Sequence, residues 1–134
     1  MAGPLPHPDG RRVVLLVAHG SRNPAACTAA HRRSCSIAAA GDDGSATAPL
    51  VRPAYLEISE PSIPTAIDEA IAQGATSVRL LPHFLSPGNH VLVDLPAIAA
   101  AAIERHPGTP IELAEHLGAD PGLVALLATR AQAD

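Results

Sequence analysis

The chain has 134 residues, which fits one domain with a modest core. Apolar residues make up 47% of the chain, but it contains no Trp, one Tyr and one Phe. The core must therefore consist of Ala, Val, Leu and Ile. A broad aromatic surface for stacking bases or a cofactor is not available. All nine basic residues are Arg, which excludes a lysine Schiff base and a P-loop lysine. The net charge is −4, so the composition does not indicate a basic surface that would bind nucleic acid.

Cysteine usage and the chain start predict a cytoplasmic protein with no membrane contact. Cys27 and Cys35 fall eight residues apart in one predicted helix, a spacing of roughly 12 Å that no disulfide spans. Free thiols of this kind suit a reducing compartment, and both read as small helix-packing residues. Residues 1–11 are rich in Pro and Gly and predict a disordered lead before a single domain at 12–134.

Four apolar segments with strand character alternate with four helical segments along the chain. The first, a β-branched run, predicts a fully buried strand. The predicted strands are Arg12–Ala18, Leu50–Ile58, Ser77–Pro82 and Pro110–Glu115. Pro53 lacks an amide hydrogen, so the second strand should lie at an edge of the sheet or contain a bulge.

Capping signals give the predicted helix boundaries. Asn23 with Pro24 should start a first helix ending near Ala40, and the second helix should cover Ser59–Gln73. Asp94 should cap a third helix that runs to Arg105, and Asp120 should cap a last helix at Pro121–Ala131. Residues 36–49 are longer and less ordered than a compact link needs.

The order βαβαβαβα predicts an α/β fold in three layers, with a four-stranded, mostly parallel sheet covered on both faces, as in flavodoxin-like proteins. Right-handed crossovers with one reversal of winding give the strand order 2-1-3-4. The switch point then falls between strands one and three, where open α/β sheets place their ligands.

Three side chains should meet at the carboxyl edge of this sheet. His19 follows strand one, Glu57 lies near the end of strand two, and His90 lies in the loop at 83–93 after strand three. Two imidazoles and a carboxylate make a borderline site for a divalent first-row metal. Without a thiolate, such a site would be open and exchangeable, and the same groups could act as bases.

Each of these residues also has a structural interpretation. His19 could cap a helix, Glu57 could be a surface residue of an edge strand, and His83, directly after strand three, could only line the mouth of a site. The remaining histidines of the helices and later loops are interpreted as solvated: His31, His106 and His116.

Several other site types lack their motif. No G-x-G-x-x-G follows a strand and no G-x-x-x-x-G-K-[ST] occurs, so nucleotide binding has no support. Ser21 does not lie in a G-x-S-x-G elbow. The tripeptide His19-Gly20-Ser21 is a weak signal alone, but its combination with a later P-x-F-L-x-x-G-x-H loop is much stronger.

That combination resembles the small sirohydrochlorin chelatases, the CbiX/SirB-like group of class II tetrapyrrole chelatases. The matching pieces occur in family order and span roughly residues 12–130. They are V-A-H-G-S-R at 17–22, A-Y-L-E-I-S-E-P-S at 54–62, L-P-H-F-L-S-P-G-N-H-V at 81–91, D-L-P at 94–96 and L-G-A-D-P at 117–121.

The resemblance implies insertion of a divalent metal into sirohydrochlorin, toward cobalamin with Co²⁺ or sirohaem with Fe²⁺, with Ni²⁺ also possible as substrate. It implies no ATP and no permanently bound cofactor. Its metal-binding and proton-accepting residues fall on His19, Glu57 and His90. Small members resemble half of a two-domain chelatase, so a homodimer is expected.

The substrate would be an octacarboxylate, for which the net charge has the wrong sign. We therefore expect local donors to hold it, together with backbone amides at helix starts. The predicted substrate contacts are Ser21, Arg22, His83, Ser86 and Asn89. Arg22 could equally be a solvated residue.

Two alternatives from other classes stay open at this point. A metal carrier or sensor on the same fold would bind the ion without inserting it. A flavodoxin-like interaction module would carry its histidines incidentally and bind no divalent metal at neutral pH.

Overall fold

The computed structural model describes residues 11–23, 29–40 and 49–134. Its strands are β1 Arg12–Ala18, β2 Leu50–Tyr55, β3 Ser77–Pro82 and β4 Ile111–Leu113. Its helices are α1 Ala29–Ala40, α2 Ile63–Ala72, α3 Asn89–Arg105 and α4 Pro121–Ala131, with a 3-10 turn at Leu117–Ala119. None of the helices in these ranges is long and apolar enough to cross a membrane.

The four strands form one parallel sheet in the order β2-β1-β3-β4. The predicted strand order is therefore confirmed, and so is the edge position of Pro53 in β2. Strand β1 pairs along its length with β2 on one side and β3 on the other. The carboxyl ends of these three strands consequently meet at one edge of the sheet.

Alternate residues of β1 face opposite layers. Val13, Leu15 and Val17 are fully buried in the main core, to which α2 and α3 contribute one face each. Helices α2 and α3 supply Ile63, Ala66, Ile67, Ala70, Val91, Leu95, Ala99 and Ala102. Helix α1 packs on β2, and its Cys35 and His31 are buried outside that main cluster. The three-layer prediction is confirmed.

Several element boundaries match the sequence. Strands β1 and β3 and helix α4 have the predicted bounds, and Asp120 caps α4 by accepting the Gly122 amide. Some predictions lie outside the described residues and stay predictions. They concern the Pro24 start of α1, Cys27, nearly all of the lead at 1–11 and most of the link at 36–49.

Two helix starts were predicted wrongly. Helix α2 begins at Ile63, because Ser62 is its cap and accepts the Thr65 amide. Helix α3 begins at Asn89, five residues before the predicted Asp94, after Gly88 in an extended conformation. Pro96 lies inside this helix. The carbonyl that loses its amide partner to Pro96 belongs to an exposed turn and can bond to water.

Two predicted strands are too long, and one predicted histidine environment is wrong. Strand β2 ends at Tyr55, because the chain bends over residues 56–61 and Ile58 has a positive φ of 71°. Strand β4 covers three residues only.

The side chain of His31 is 6% exposed and therefore not solvated, because α1 packs it against the sheet.

Candidate metal centre

His19 follows the last residue of β1 and is held against the end of β2. The next residue, Gly20, has φ +104°, and a Cβ atom there would lie 1.8 Å from the Glu57 carbonyl oxygen. Only glycine allows this approach of two backbones. The His-Gly pair thus brings the first loop into contact with the backbone that carries Glu57.

Glu57 is positioned by hydrogen bonds that continue beyond the end of β2. The Leu56 amide donates to the Ala18 carbonyl over 2.9 Å, and the Glu57 amide donates to the His19 carbonyl over 3.0 Å. These two bonds extend the parallel ladder past Tyr55. Glu57 therefore lies beside His19 although the two are 38 positions apart along the chain.

His90 reaches the same edge from the other side of β1. The His83 amide donates to the Val17 carbonyl over 2.7 Å, so β3 stays beside β1 until its loop begins. Pro87 and Gly88 then turn the chain into α3, whose second residue is His90. The imidazole rings of His19 and His90 meet edge to face, with centroids 6.2 Å apart.

The three side chains form a compact donor set. His19 Nε2 donates to Glu57 Oε1 over 2.7 Å, and one ligand atom from each of His19, Glu57 and His90 lies within 4.8 Å of the others. Among the described residues no other group of three His, Cys, Asp or Glu side chains lies this close. Two imidazole nitrogens and one carboxylate suit a borderline divalent ion and leave coordination positions open.

A cavity of about 260 Å³ adjoins this donor set, lined by Leu56, Glu57, His90, Asp94, Ala97 and Ile98. Asp94 lies one helical turn after His90 and points toward the same space. The prediction of Asp94 as a helix cap is wrong, because this residue lies inside α3 and lines the cavity. The signal was the spacing of four from His90, which acquires meaning only if α3 begins before Asp94.

His83 lies against α1 and not within the donor set. Its Nδ1 is 3.4 Å from His31 Nδ1, and the two rings stack at 5.5 Å. His31 Nε2 donates to the Leu16 carbonyl over 2.7 Å. Burial, followed by the charge of His83, lowers the pKa of His31, while the bond to Leu16 opposes this shift. The spacing of four between His31 and Cys35 was the sequence signal for a buried helix face.

The other predicted substrate contacts surround the edge without forming a closed pocket. Ser21 is fixed at both ends, since its amide donates to Ser59 Oγ over 3.1 Å and its Oγ accepts the Asn23 amide over 3.0 Å. Arg22, Ser86 and Asn89 are exposed. Their roles toward a substrate stay predictions.

Comparison with known proteins places the fold and the motifs in context. Residues 13–134 match the CbiX family model. The sirohydrochlorin cobaltochelatase of Methanosarcina barkeri is 30% identical over 127 residues, which cover 89% of this chain and 93% of that protein. The chloroplastic sirohydrochlorin ferrochelatase of Arabidopsis thaliana is 39% identical over 70 residues, covering 52% of this chain and 31% of that one.

The chain spans less than half the length of several relatives it matches. For the sirohydrochlorin ferrochelatase of Bacillus subtilis, 26% identity extends over 114 residues, which are 85% of this chain and 42% of that protein. The matched part is therefore one section of a longer relative.

Solved structures show the same fold. A CbiX protein from Marinobacter aquaeolei superposes with a TM-score of 0.72 and 27% identity, over 90% of this chain and 92% of that one. The sirohydrochlorin chelatase SirB from Bacillus subtilis subspecies spizizenii, in complex with cobalt, gives 0.70 and 29%, over 91% of this chain and 50% of that one. With its parallel sheet, its edge motifs and the family match over residues 13–134, the chain belongs to the CbiX family.

Proposed function

We propose that this chain is a sirohydrochlorin chelatase, a lyase that inserts Co²⁺ or Fe²⁺ into the macrocycle without ATP. The observation that carries the proposal is the set of His19, Glu57 and His90 with ligand atoms within 4.8 Å. Relatives named as ferrochelatases and as cobaltochelatases both match the chain. Imidazole and carboxylate ligands do not separate these two ions, so metal choice follows supply.

Insertion exchanges one divalent ion for two pyrrole N–H protons. In the proposed mechanism His19 and His90 hold the incoming ion through ring nitrogens, and open positions accept nitrogens of the macrocycle. His19 Nε2 faces Glu57 Oε1 at 2.7 Å, so a metal bound at this nitrogen takes the place of its proton and frees the carboxylate. Glu57 then serves as a third ligand or receives a proton from the macrocycle.

The solvent exposure of the donor set supports a role in transferring the metal ion to the macrocycle and not in storing it. The side chains of His19 and Glu57 remain 42% and 55% exposed. Weak, open N/O coordination lets the ion leave for the four nitrogens of the macrocycle, whereas a closed thiolate site would retain it.

Carboxylate recognition is proposed at the first turn of α3 and in the first loop. Gly88 caps α3 without a side-chain hydrogen bond, so amides at the start of this helix can donate to substrate carboxylates. Asn89 and Ser86 lie at this helix start, and Ser21 and Arg22 lie in the loop that follows β1. His83 completes the proposed contacts.

The test is metal insertion by the purified chain, followed through the absorbance of the macrocycle with Co²⁺ and with Fe²⁺. We expect His19→Ala and His90→Ala each to reduce the insertion rate by about 100-fold or more, because each removes a ligand. Glu57→Gln should reduce the rate less, since the amide keeps an oxygen ligand but accepts no proton. His106→Ala, at the far end of α3, is the matched control and should retain the parental rate.

Two outcomes would contradict the proposal. Folded His19→Ala and His90→Ala variants with the parental rate would remove the donor set from the reaction. Co²⁺ binding by the parent chain with sirohydrochlorin left unchanged would assign the chain to the carriers or sensors.

We further propose a homodimer in the cytoplasm. The chain covers 50% of the SirB structure, so a second copy could supply the missing half. Helix α4 carries apolar residues that nothing in the described chain buries. The Cys35 thiol is free and buried, and burial raises its pKa to about 11, which suits an inert structural role in a reducing compartment.

A further inference from the structure

Ile58 occupies a backbone conformation that isoleucine disfavours. Its φ of +71° is the only positive value at a non-glycine residue in the described ranges. The Ser59 amide donates to the Glu57 carbonyl over 2.8 Å, so Ile58 is the central residue of a three-residue turn of the rare, strained hand. Glycine would adopt this turn without a steric penalty, and a β-branched side chain is the least suitable.

The turn is fixed from both sides by the bonds that position the metal centre. The Glu57 amide donates to the His19 carbonyl over 3.0 Å, and Ser59 Oγ accepts the Ser21 amide over 3.1 Å. The turn therefore cannot relax without moving Glu57. The backbone geometry belongs to the site, whereas the choice of isoleucine at its centre needs a separate reason.

Packing within the chain does not supply that reason. Ile58 is 56% exposed, and it lies outside the hydrophobic core cluster and its partly buried neighbours. A side chain that strains the backbone and adds nothing to the core is characteristic of a functional position. Ile58 directly follows Glu57, so this exposed aliphatic group belongs to the residue next to a member of the donor set.

We propose that Ile58 is a substrate-contact residue whose side chain packs against the flat face of the tetrapyrrole. The donor set then faces the central nitrogens of the tetrapyrrole. This inference rests on the proposed chelatase function. The face of the macrocycle is apolar and its carboxylates lie at the periphery, so an aliphatic group beside the metal meets the part of the substrate that it can desolvate.

The composition supports an aliphatic contact. Tyr55 is buried and Phe84 is half-buried, so the chain offers no exposed aromatic ring of Tyr, Phe or Trp in its described part. Leu85, also exposed, lies in the loop after β3, on the opposite side of β1 from Ile58 in the sheet order. The two loops thus present one exposed aliphatic side chain each to the same edge.

The test compares Ile58→Gly with the conservative Ile58→Val and with Ile103→Ala, an exposed isoleucine on α3. Three quantities are measured: the melting temperature, the Kd for Co²⁺ and the Kd for sirohydrochlorin. Ile58→Gly should melt at or above the parental temperature because strain is relieved, and should bind Co²⁺ as the parent does. Its Kd for sirohydrochlorin should rise about tenfold, whereas the other two variants should stay within about threefold.

The outcomes separate the possible failures. A parental Kd for sirohydrochlorin in Ile58→Gly would overturn the contact. Equal weakening of Co²⁺ and sirohydrochlorin binding would also overturn it, because the side chain would then act only by holding Glu57. A parent chain that binds no sirohydrochlorin would overturn the proposed function itself, and this contact with it.

Discussion

Gly20 ties two parts of the candidate site together through backbone contact alone. A side chain at this position would collide with the Glu57 carbonyl oxygen, and the φ of +104° adds strain for any L-residue. The carbonyl that it touches is also the acceptor of the Ser59 amide in the Ile58 turn. One glycine therefore controls the distance between β1 and the carboxylate without taking part in chemistry.

Gly20→Ala should lower the free energy of unfolding by about 2 kcal/mol or more and weaken Co²⁺ binding, because the added methyl must displace backbone. Gly108→Ala is the matched control, since an added Cβ there meets no atom within 4 Å. It should change the free energy of unfolding by less than about 0.5 kcal/mol. Urea unfolding and Co²⁺ titration measure both, and parental values in Gly20→Ala would contradict the close approach.

His31 should make stability depend on pH. The pKa of His31 is lowered in the folded chain from its ordinary value of 6.5. As the pH falls below 6.5, His31 therefore binds a proton in the unfolded chain but stays neutral in the folded chain. Stability from this residue is present above that pH and is lost as the pH falls through the window down to the lowered folded pKa. One such proton contributes a slope of at most about 1.4 kcal/mol per pH unit.

His31→Gln, which keeps a donor for the Leu16 carbonyl, should flatten this slope. Urea unfolding at about pH 7.5 and about pH 5.5 provides the comparison. His106→Gln is the control, because its ring bonds to the exposed Asp68 carboxylate and is not enclosed by α1 and the sheet. An unchanged slope in His31→Gln would show that His31 does not govern it.

At the scale of elements, α4 differs from the other helices. It packs against the 3-10 turn, and none of its residues is buried. Val124 and Leu127 lie three residues apart on one face, and both are more than half exposed. Adjacent apolar side chains on an otherwise uncovered helix are a common feature of interfaces between chains.

The double variant Val124→Ser/Leu127→Ser should therefore shift the proposed dimer to a monomer, because it removes apolar area from the interface. Sedimentation velocity at micromolar concentration measures the change, and Ile103→Ser is the exposed-aliphatic control on α3. A variant that sediments like a dimeric parent would exclude this face of α4, and a monomeric parent would contradict the dimer.

Much of the architecture could be predicted from the sequence because hydrophobic patterning and parallel topology leave few options. The β-branched run of β1 and the apolar run of β3 predicted their bounds, and the alternation of elements predicted the sheet order. The start of α3 was predicted wrongly, because Asp94 followed by Pro96 resembles a helix start, whereas its predicted end at Arg105 is confirmed. The Ile58 turn was also missed, since the local signal for a positive φ is Gly or Asn.

The same limits apply to the candidate site. Convergence of the donor set followed from strand order, because ends of neighbouring parallel strands share one edge. Strand order did not predict that His83 lies against α1 while His90 lies in the donor set. That difference depends on the position of His31 on α1, whose ring contacts His83. Roles of individual residues toward metal and substrate stay predictions until insertion is measured.

For the molecule as a whole, the donor set draws one ligand from each of three segments that follow different strands: two loops and the first turn of α3. An unfolded chain scatters these ligands, so in the proposed function the ion would bind the native state preferentially and stabilise it. At a free concentration one hundred times its Kd, such an ion adds about 2.7 kcal/mol to the free energy of unfolding. Each proposed delivery of metal to the macrocycle would withdraw that stabilisation. Turnover and metal supply would then set how long the native chain survives proteolysis, which would make the protein's own abundance responsive to its proposed metal substrate.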